Sequence, residues 1–153
     1  MIDPVIIRKA TDADLTFVLN LLGSDDIDPG DVLSVEEATL IHHKFSAYPN
    51  YSLFVACIGS NIVGTFELLI MDNLGHKGKP SGVIEDVMVD NVYRSKGIGR
   101  KMMEHAISVC KTYGCYKLTL SSNLKRERAH DFYEKIGFIK HGYSFHVDLD
   151  SIR

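Results

Sequence analysis

A short loop with two glycines carries the residues best suited to bind a phosphate group. It runs from Arg94 to Gly99 with the sequence Arg-Ser-Lys-Gly-Ile-Gly, and apolar residues at helical spacing follow it from Ile98. The first N–H groups of a helix have no internal partner and carry partial positive charge. Glycine lets an anion approach the backbone closely. The loop therefore predicts a phosphate site at a helix N-terminus, with further positive charge from Lys96 and Arg100.

The spacing of the glycines argues against two common phosphate-binding motifs. A P-loop requires Gly-x4-Gly-Lys-Ser/Thr, which is absent here. The dinucleotide motif requires Gly-x-Gly-x-x-Gly, and Met102 occupies the position of its third glycine. A nucleotide-binding protein that uses the same loop in another way stays open as an alternative.

Two adjacent carboxylates, Glu85 and Asp86, interrupt the apolar strand that precedes the loop. The β-branched residues around them are typical of a buried strand, where an ionised carboxylate is costly unless it has a partner or a task. One such task is to take a proton from a protonated amine. Successive side chains of a strand face opposite sides, so only one of the two should point into a cleft unless a bulge intervenes. Glu85 has the longer reach and is the favoured base.

Hydrophobic periodicity and turn residues predict the remaining elements. Their order along the chain is β-α-α-β-β-β-α-β-α-β-β, which predicts one α+β domain over residues 1–153 with a mixed central sheet of about seven strands. Two capping boxes, Thr11 with Asp14 and Ser34 with Glu37, mark the starts of the first two helices. The last two strands are predicted at 138–140 and 143–149, and apolar and polar residues alternate in the second of these segments.

The loop resembles the acetyl-CoA-binding signature of the GNAT superfamily of N-acetyltransferases. The match is Arg-x-x-Gly-x-Gly between an apolar strand and a long amphipathic helix. A second segment, in which Phe132-Tyr133 precedes Gly137-Phe138, is similar to the other signature of this family. The order of elements also matches, so the resemblance covers essentially the whole chain. It implies the GNAT fold, with helices on both faces of the sheet and a splay between the fourth and fifth strands where pantetheine lies.

The resemblance implies acetyl-CoA as co-substrate and suggests a role for individual residues. Tyr133 would protonate the departing thiolate of CoA, and the alternative is a tyrosine that only fills the core. Glu85 or Asp86 would accept the proton of the amine, directly or through a water. Asn123 would contact the cofactor or would instead cap a helix. The residues expected to bind the pyrophosphate and pantetheine are Val87, Met88, Val89, Arg94, Ser95, Lys96, Gly97, Ile98, Gly99 and Arg100.

The charged residues are unevenly distributed along the chain. Nine of the 17 lysines and arginines lie between Arg94 and Arg128, whereas the segment from Asp25 to Glu37 holds six acids and no base. This distribution favours a basic mouth for a polyanionic cofactor and an acidic rim for a cationic acceptor. The net charge of −3 and the lack of basic residues interleaved with aromatic ones argue against a nucleic-acid partner.

The composition is that of an ordinary globular protein, and a cytoplasmic location is expected. No apolar run approaches the roughly 20 residues that a membrane helix needs, and no basic region typical of a signal peptide precedes an apolar segment at the N-terminus. The odd number of cysteines favours reduced thiols, and no spacing of cysteine and histidine fits a structural zinc site, so no metal is expected. The oligomeric state, including a homodimer, stays open.

The leading functional prediction is an N-acetyltransferase that moves acetyl from acetyl-CoA to a primary amine of a small molecule by direct attack. The runs Ile-Glu-Asp-Val and Gly-Cys-Tyr-Lys (114–117) resemble glucosamine-phosphate N-acetyltransferases, whereas residues 125–145 are more similar to aminoalkylphosphonate acetyltransferases. The acceptor therefore stays open. The alternatives are a CoA-binding sensor or regulatory module and a protein or peptide N-acetyltransferase.

Overall fold

Five β-strands form one sheet in the part of the chain that the computed structural model describes, residues 3–25 and 30–151. The strands are β1 (Val5–Lys9), β2 (Tyr51–Ile58), β3 (Asn61–Met71), β4 (Ser81–Val89) and β5 (Lys117–Leu120). The α-helices are α1 (Leu15–Gly23), α2 (Val35–Phe45), α3 (Ile98–Thr112) and α4 (Glu127–Lys135). The strands lie side by side in chain order, with β1 to β4 antiparallel and β5 parallel to β4. The mixed α+β class and the predicted element order as far as α4 are confirmed.

Residues group into two compact units along the chain. Met1–Leu120 contains the sheet with α1, α2 and α3, and Ser121–Arg153 contains α4. The predicted residues therefore fall into two sets, with the phosphate loop and the carboxylates in the first unit and Asn123 and Tyr133 in the second.

The prediction of two further strands, at 138–140 and 143–149, is wrong for the described residues. Neither segment forms a strand, so the predicted sheet of about seven strands has five. The apolar side chains that alternate there are exposed, with Tyr143 at 92% and Phe145 at 90% of full exposure. Alternation predicts a strand only where a neighbouring strand supplies hydrogen-bond partners, and these segments have none within the described ranges.

Helices cover both faces of the first unit's sheet, as expected. Alternate residues of β2 face opposite sides. One set packs in a cluster with α1 and α2, which consists of Leu15, Val18, Leu19, Ala38, Leu53, Val55 and Cys57. On the other face, the ring of Phe54 meets His105 of α3 edge-on at 5.1 Å between centroids. Burial accordingly lowers the pKa of His105.

Both predicted capping boxes are present. The Ser34 hydroxyl accepts from the Glu37 N–H at 3.2 Å, and the Glu37 carboxylate accepts from the Ser34 N–H at 2.9 Å. The Thr11 N–H donates to Asp14 at 2.7 Å, at a 3-10 turn that leads into α1. The Arg8 guanidinium of β1 also donates to Asp14 at 2.7 Å, which favours the ionised form and lowers the pKa of Asp14 to about 2. These contacts fix the starts of α1 and α2.

Candidate active site

Strand β4 continues past the end of its pairing with β5. The parallel pairs run from Ser81 opposite Lys117 to Ile84 opposite Leu120, where β5 ends. The rest of β4, from Glu85 to Val89, pairs only with β3. The pairing of β4 with β5 thus ends before Glu85, and the splay that the resemblance implies stays a prediction. The side of β4 that faces away from β3 is thus free of a strand partner from Glu85 onward among the described residues.

The loop that connects β4 to α3 ends at Gly97 in a backbone conformation that favours glycine. Gly97 is the N-cap of α3 and has a φ of 80°, in the left-handed region. A Cβ placed on Gly97 would meet no atom within 4 Å, so the space over it is open. Because glycine has no side chain, residue 97 leaves the first N–H groups of α3 uncapped. Ser95 also has a positive φ, of 61°. The helix start that the sequence predicts is confirmed, and its geometry suits an anion.

The basic side chains of the loop are exposed and differ in their contacts. The Arg94 Nε donates to the carbonyl of Val89 at 3.3 Å, and the Lys96 Nζ lies 5.2 Å from the centroid of the Tyr93 ring. Arg100 pairs with Glu104 at 3.1 Å on the surface of α3. The Glu104 carboxylate offsets the charge of Arg100. Arg94 and Lys96 therefore supply the principal positive charge of the loop.

A β-bulge places the two predicted carboxylates. Thr65 pairs with Met88 and Glu67 pairs with Glu85, so Asp86 and Val87 of β4 together face a single residue of β3. Asp86 has a φ of 50°, and both Glu85 and Asp86 are exposed. Partial burial raises the pKa of Glu85, and the charge of Asp86 raises it further. Both carboxylates can reach the same side of the sheet only if a bulge intervenes, and a bulge is present here.

Sequence reasoning does not single out Glu67 and Tyr51, which the structure brings to this bulge. The Tyr51 hydroxyl donates to Glu67 Oε2 at 2.5 Å, and Glu67 lies directly across from Glu85 on the neighbouring strand. Burial raises the pKa of Glu67, the hydrogen bond from Tyr51 opposes this, and the charges of Asp86 and Glu85 raise it. The available signal is a carboxylate inside an apolar strand, the same signal that marks Glu85.

Tyr133 lies on α4 in the second unit and is half-buried. Its ring lies 5.2 Å from that of Phe132 and 5.6 Å from that of Phe138. Burial raises the pKa of Tyr133, although Arg126 acts in the opposite direction, so the phenol keeps its proton at neutral pH. A protonated phenol can donate to a thiolate, and the same ring also packs among aromatic neighbours. Its role as an acid therefore stays a prediction.

Asn123 forms a turn before α4. Its Oδ1 accepts from the Lys125 N–H at 2.9 Å, and its carbonyl accepts from the Arg126 N–H at 3.0 Å. The N-cap of α4 is Arg126, so the alternative in which Asn123 itself is the N-cap is wrong. Its contact with a cofactor stays a prediction.

The acidic rim predicted between Asp25 and Glu37 is only partly described. Asp26 and Asp28 lie outside the described residues. Asp31 and Glu36 are exposed, whereas Glu37 is engaged in the capping box of α2. The role of this segment toward a cationic acceptor stays a prediction.

The described residues contain neither a candidate membrane-spanning helix nor a candidate metal site. None of the helices in these ranges is both long and apolar enough to cross a membrane. Within residues 3–25 and 30–151, no group of three or more histidine, cysteine, aspartate or glutamate side chains could hold a metal ion.

Comparison with known proteins identifies close relatives over nearly the whole chain. The model of the family described as "Acetyltransferase (GNAT) family" matches residues 17–138, which include the glycine loop and the Phe132–Phe138 segment. A "Glucosamine 6-phosphate N-acetyltransferase" of Trypanosoma brucei brucei is 32% identical over 143 residues, which cover 94% of this chain and 95% of that protein.

Two solved structures resemble the fold over a similar extent. The crystal structure of a Trypanosoma brucei acetyltransferase has a TM-score of 0.82 at 31% identity and covers 95% of this chain and 100% of that chain. The glucosamine-6-phosphate N-acetyltransferase from Arabidopsis thaliana has a TM-score of 0.82 at 26% identity, with 97% of this chain and 100% of that chain covered.

Proposed function

We propose that this chain, which belongs to the GNAT family of acetyltransferases, transfers the acetyl group of acetyl-CoA to the primary amine of a small molecule. Family membership makes the chain an acyltransferase. The observation that carries the choice of acceptor is the relative named glucosamine 6-phosphate N-acetyltransferase, which aligns over 94% of this chain. D-glucosamine 6-phosphate is accordingly the first acceptor to test. We further propose that residues 1–153 act as one catalytic domain.

The loop residues fit the phosphates of acetyl-CoA, which supplies an activated acetyl thioester. Gly97 leaves open space over the N-terminus of α3, and Arg94 and Lys96 bring positive charge to the same loop. Ser95, Ile98, Gly99 and Arg100 complete this segment. Beyond the last β5 pair, the backbone of Val87–Val89 would bind the amides of pantetheine as an added strand would.

Direct attack by the amine, without a covalent intermediate on the enzyme, agrees with the state of the two buried thiols. A covalent route would need an activated cysteine. Cys57 and Cys110 are both buried, and burial raises the pKa of the Cys110 thiol to about 12, so Cys110 remains a thiol at neutral pH. The amine must lose a proton before it can attack, and Glu85 is the proposed acceptor of that proton. Tyr133 is proposed to give a proton to the departing thiolate.

A phosphorylated acceptor needs basic partners in addition to the acidic rim. Lys44, at the end of α2, and Lys77 and Lys79, between β3 and β4, are exposed and carry such charge. We propose them as partners of the acceptor phosphate. All three lysines belong to the first unit, on α2 or on the segment between β3 and β4.

The substitution Glu85→Gln should lower the rate most at pH values below the pKa of the amine but above the pKa of the Glu85 carboxyl. Most of the amine is protonated there, so turnover depends on a base that removes the proton in the complex. At high pH, free amine is plentiful and the defect should shrink. Wild-type activity should fall as the pH decreases and the Glu85 carboxylate, whose pKa is raised, becomes protonated. The measurement is kcat/KM for the amine against pH, and Asp86→Asn, which removes the other candidate base, is measured beside it. An equal loss at every pH would instead indicate that Glu85 positions the acceptor.

A panel of acceptors tests the proposed function. Purified protein is given acetyl-CoA with glucosamine 6-phosphate, an aminoalkylphosphonate, a polyamine or a peptide with a free N-terminus, and release of the CoA thiol is recorded. The expected result is the highest kcat/KM with glucosamine 6-phosphate. A preference for the peptide would favour the protein N-acetyltransferase alternative. Tight CoA binding without turnover would favour a sensor module, and tighter binding of ATP than of CoA would favour a nucleotide-binding protein.

A further inference from the structure

We propose that Tyr51 is a positioning residue, whose hydroxyl holds Glu67 ionised opposite Glu85 so that the two glutamates accept the proton of the acceptor amine as a pair. This proposal rests on the proposed function, because it concerns the base of that reaction. It adds two residues, on β2 and β3, to the carboxylates that the sequence marks on β4.

The position of the Tyr51 phenol is fixed by packing. Its ring stacks on that of Phe45, the last residue of α2, with centroids 4.0 Å apart and an angle of 12° between the planes. The ring of Tyr48 meets it edge-on at 5.5 Å. These contacts direct the hydroxyl to Glu67 Oε2, at 2.5 Å. A hydrogen bond to a carboxylate favours its ionised form.

Glu67 and Glu85 are a cross-strand pair. They lie directly opposite each other on the antiparallel strands β3 and β4, one residue before the register shifts at the bulge. Side chains at directly opposed positions share a face of the sheet, with Cβ atoms about 4.5–5.5 Å apart. The charge of Glu85 is among those that raise the pKa of Glu67, and carboxyls that interact in this way lose their protons in steps that belong to the pair.

The surroundings of Glu67 agree with a carboxyl that holds its proton more tightly than an exposed one. Burial raises the pKa of Glu67, and the neighbouring charges of Asp86 and Glu85 add to this, while Tyr51 limits the rise. Helix α1 packs against β3 and has no titratable residue from Leu15 to Gly23. Helix α3 packs on the opposite face, as the contact of His105 with Phe54 shows. The groups that act on Glu67 are therefore Tyr51, Glu85 and Asp86.

The proposed step moves one proton. The N–H bond of the acceptor ammonium breaks, its electron pair stays on nitrogen, and the proton passes to a carboxylate oxygen of the pair. The pair changes from two negative charges to one, and the neutral amine can then attack the thioester. Before transfer, two carboxylates attract a cationic amine more strongly than one would. The pair later returns its proton to solvent.

Two conservative substitutions should shift the pH profile in opposite directions. Tyr51→Phe keeps the stacked ring but removes the donor that stabilises the doubly ionised pair, so the acidic limb of kcat/KM for the amine should move to higher pH by about one unit. Glu67→Gln keeps the size of the side chain but removes one charge. Glu85 then titrates beside Asp86 but without a second glutamate across the strand, so the limb should move to lower pH and the plateau should fall. The pKa of the free amine is common to all profiles.

Tyr143→Phe is the matched control, because it removes a phenol that is 92% exposed and whose ring lies beside that of Phe145. It should leave the limb in place. Limbs that stay fixed in both Tyr51→Phe and Glu67→Gln, or that move in the same direction, would overturn the proposal, because a purely structural role lowers activity without opposite shifts.

A titration without substrate separates this proposal from the proposed function. Carbon NMR of protein labelled at the glutamate side-chain carboxyls follows Glu67 and Glu85 directly, with each signal assigned by its loss in Glu67→Gln or Glu85→Gln. Coupled titration of the two signals in a protein that transfers no acetyl would support the pair and reject the function. Independent titration of the two signals in an active enzyme would reject the pair and retain the function.

Discussion

Tyr133→Phe should lower kcat by about 10- to 10³-fold and change acetyl-CoA affinity little. The substitution removes one hydroxyl and keeps the ring that lies between Phe132 and Phe138, so the second unit should keep its fold. A free thiol has a pKa of about 8.5, so a thiolate can leave without help, but a positioned acid speeds its departure. The raised pKa of Tyr133 keeps the phenol protonated and able to donate. Steady-state kinetics and direct titration of acetyl-CoA measure the two quantities.

The acyl donor and a matched tyrosine distinguish acid catalysis from packing. The defect of Tyr133→Phe should shrink with a thioester whose thiol is more acidic, because that leaving group needs less protonation. Tyr143→Phe removes an exposed phenol from the same unit and should have no effect. Wild-type turnover in Tyr133→Phe would show that Tyr133 is only a packing residue and that water or another side chain supplies the proton.

Gly97→Asp should weaken acetyl-CoA binding by at least about 100-fold relative to Gly97→Asn. Two like charges 4 Å apart near a protein surface repel by about 4 kcal/mol, and salt reduces this. Both replacements must adopt the φ of 80° at residue 97, and asparagine and aspartate tolerate the left-handed region better than most residues. They have nearly the same size and meet no atom within 4 Å at Cβ, so their difference isolates the charge.

Calorimetric titration of both variants with acetyl-CoA gives this difference, and circular dichroism confirms that each one folds. The defect of Gly97→Asp should also shrink as salt concentration rises, because exposed charges are screened. Equal affinities for the two variants would place the phosphates away from the N-terminus of α3.

Features set by neighbouring residues could be predicted from the sequence, whereas those set by strand register could not. The capping box of Ser34 and Glu37 and the start of α3 after Gly97 depend on residues within a few positions, and both are confirmed. The bulge at Asp86 depends on how β3 and β4 pair, which no local pattern fixes. Two adjacent acids in a strand raise the question of a bulge, but only the pairing of β3 with β4 shows that one is present.

The contact between Tyr51 and Glu67 has the same origin. The two residues are 16 positions apart, and only the pairing of β2 with β3 brings the hydroxyl to the carboxylate. The segment from Tyr143 to Leu149 gives the opposite error, a strand that is predicted but not formed. Its apolar residues alternate as in a strand but are exposed, since such a pattern does not by itself provide a partner strand. Pairing between strands that are distant in the sequence therefore limits how much of the sheet and of the site can be predicted.

Transfer of a labelled acetyl group from acetyl-CoA to D-glucosamine 6-phosphate tests the proposed chemistry most directly. Acetyl-CoA carrying 13C in the acetyl carbonyl is mixed with the amine and the protein, and the carbonyl signal is followed by NMR. The predicted result is a labelled amide that grows with the release of free CoA and that is absent without protein. Labelled acetate without any amide, with this amine and with the rest of the panel, would contradict N-acetylation.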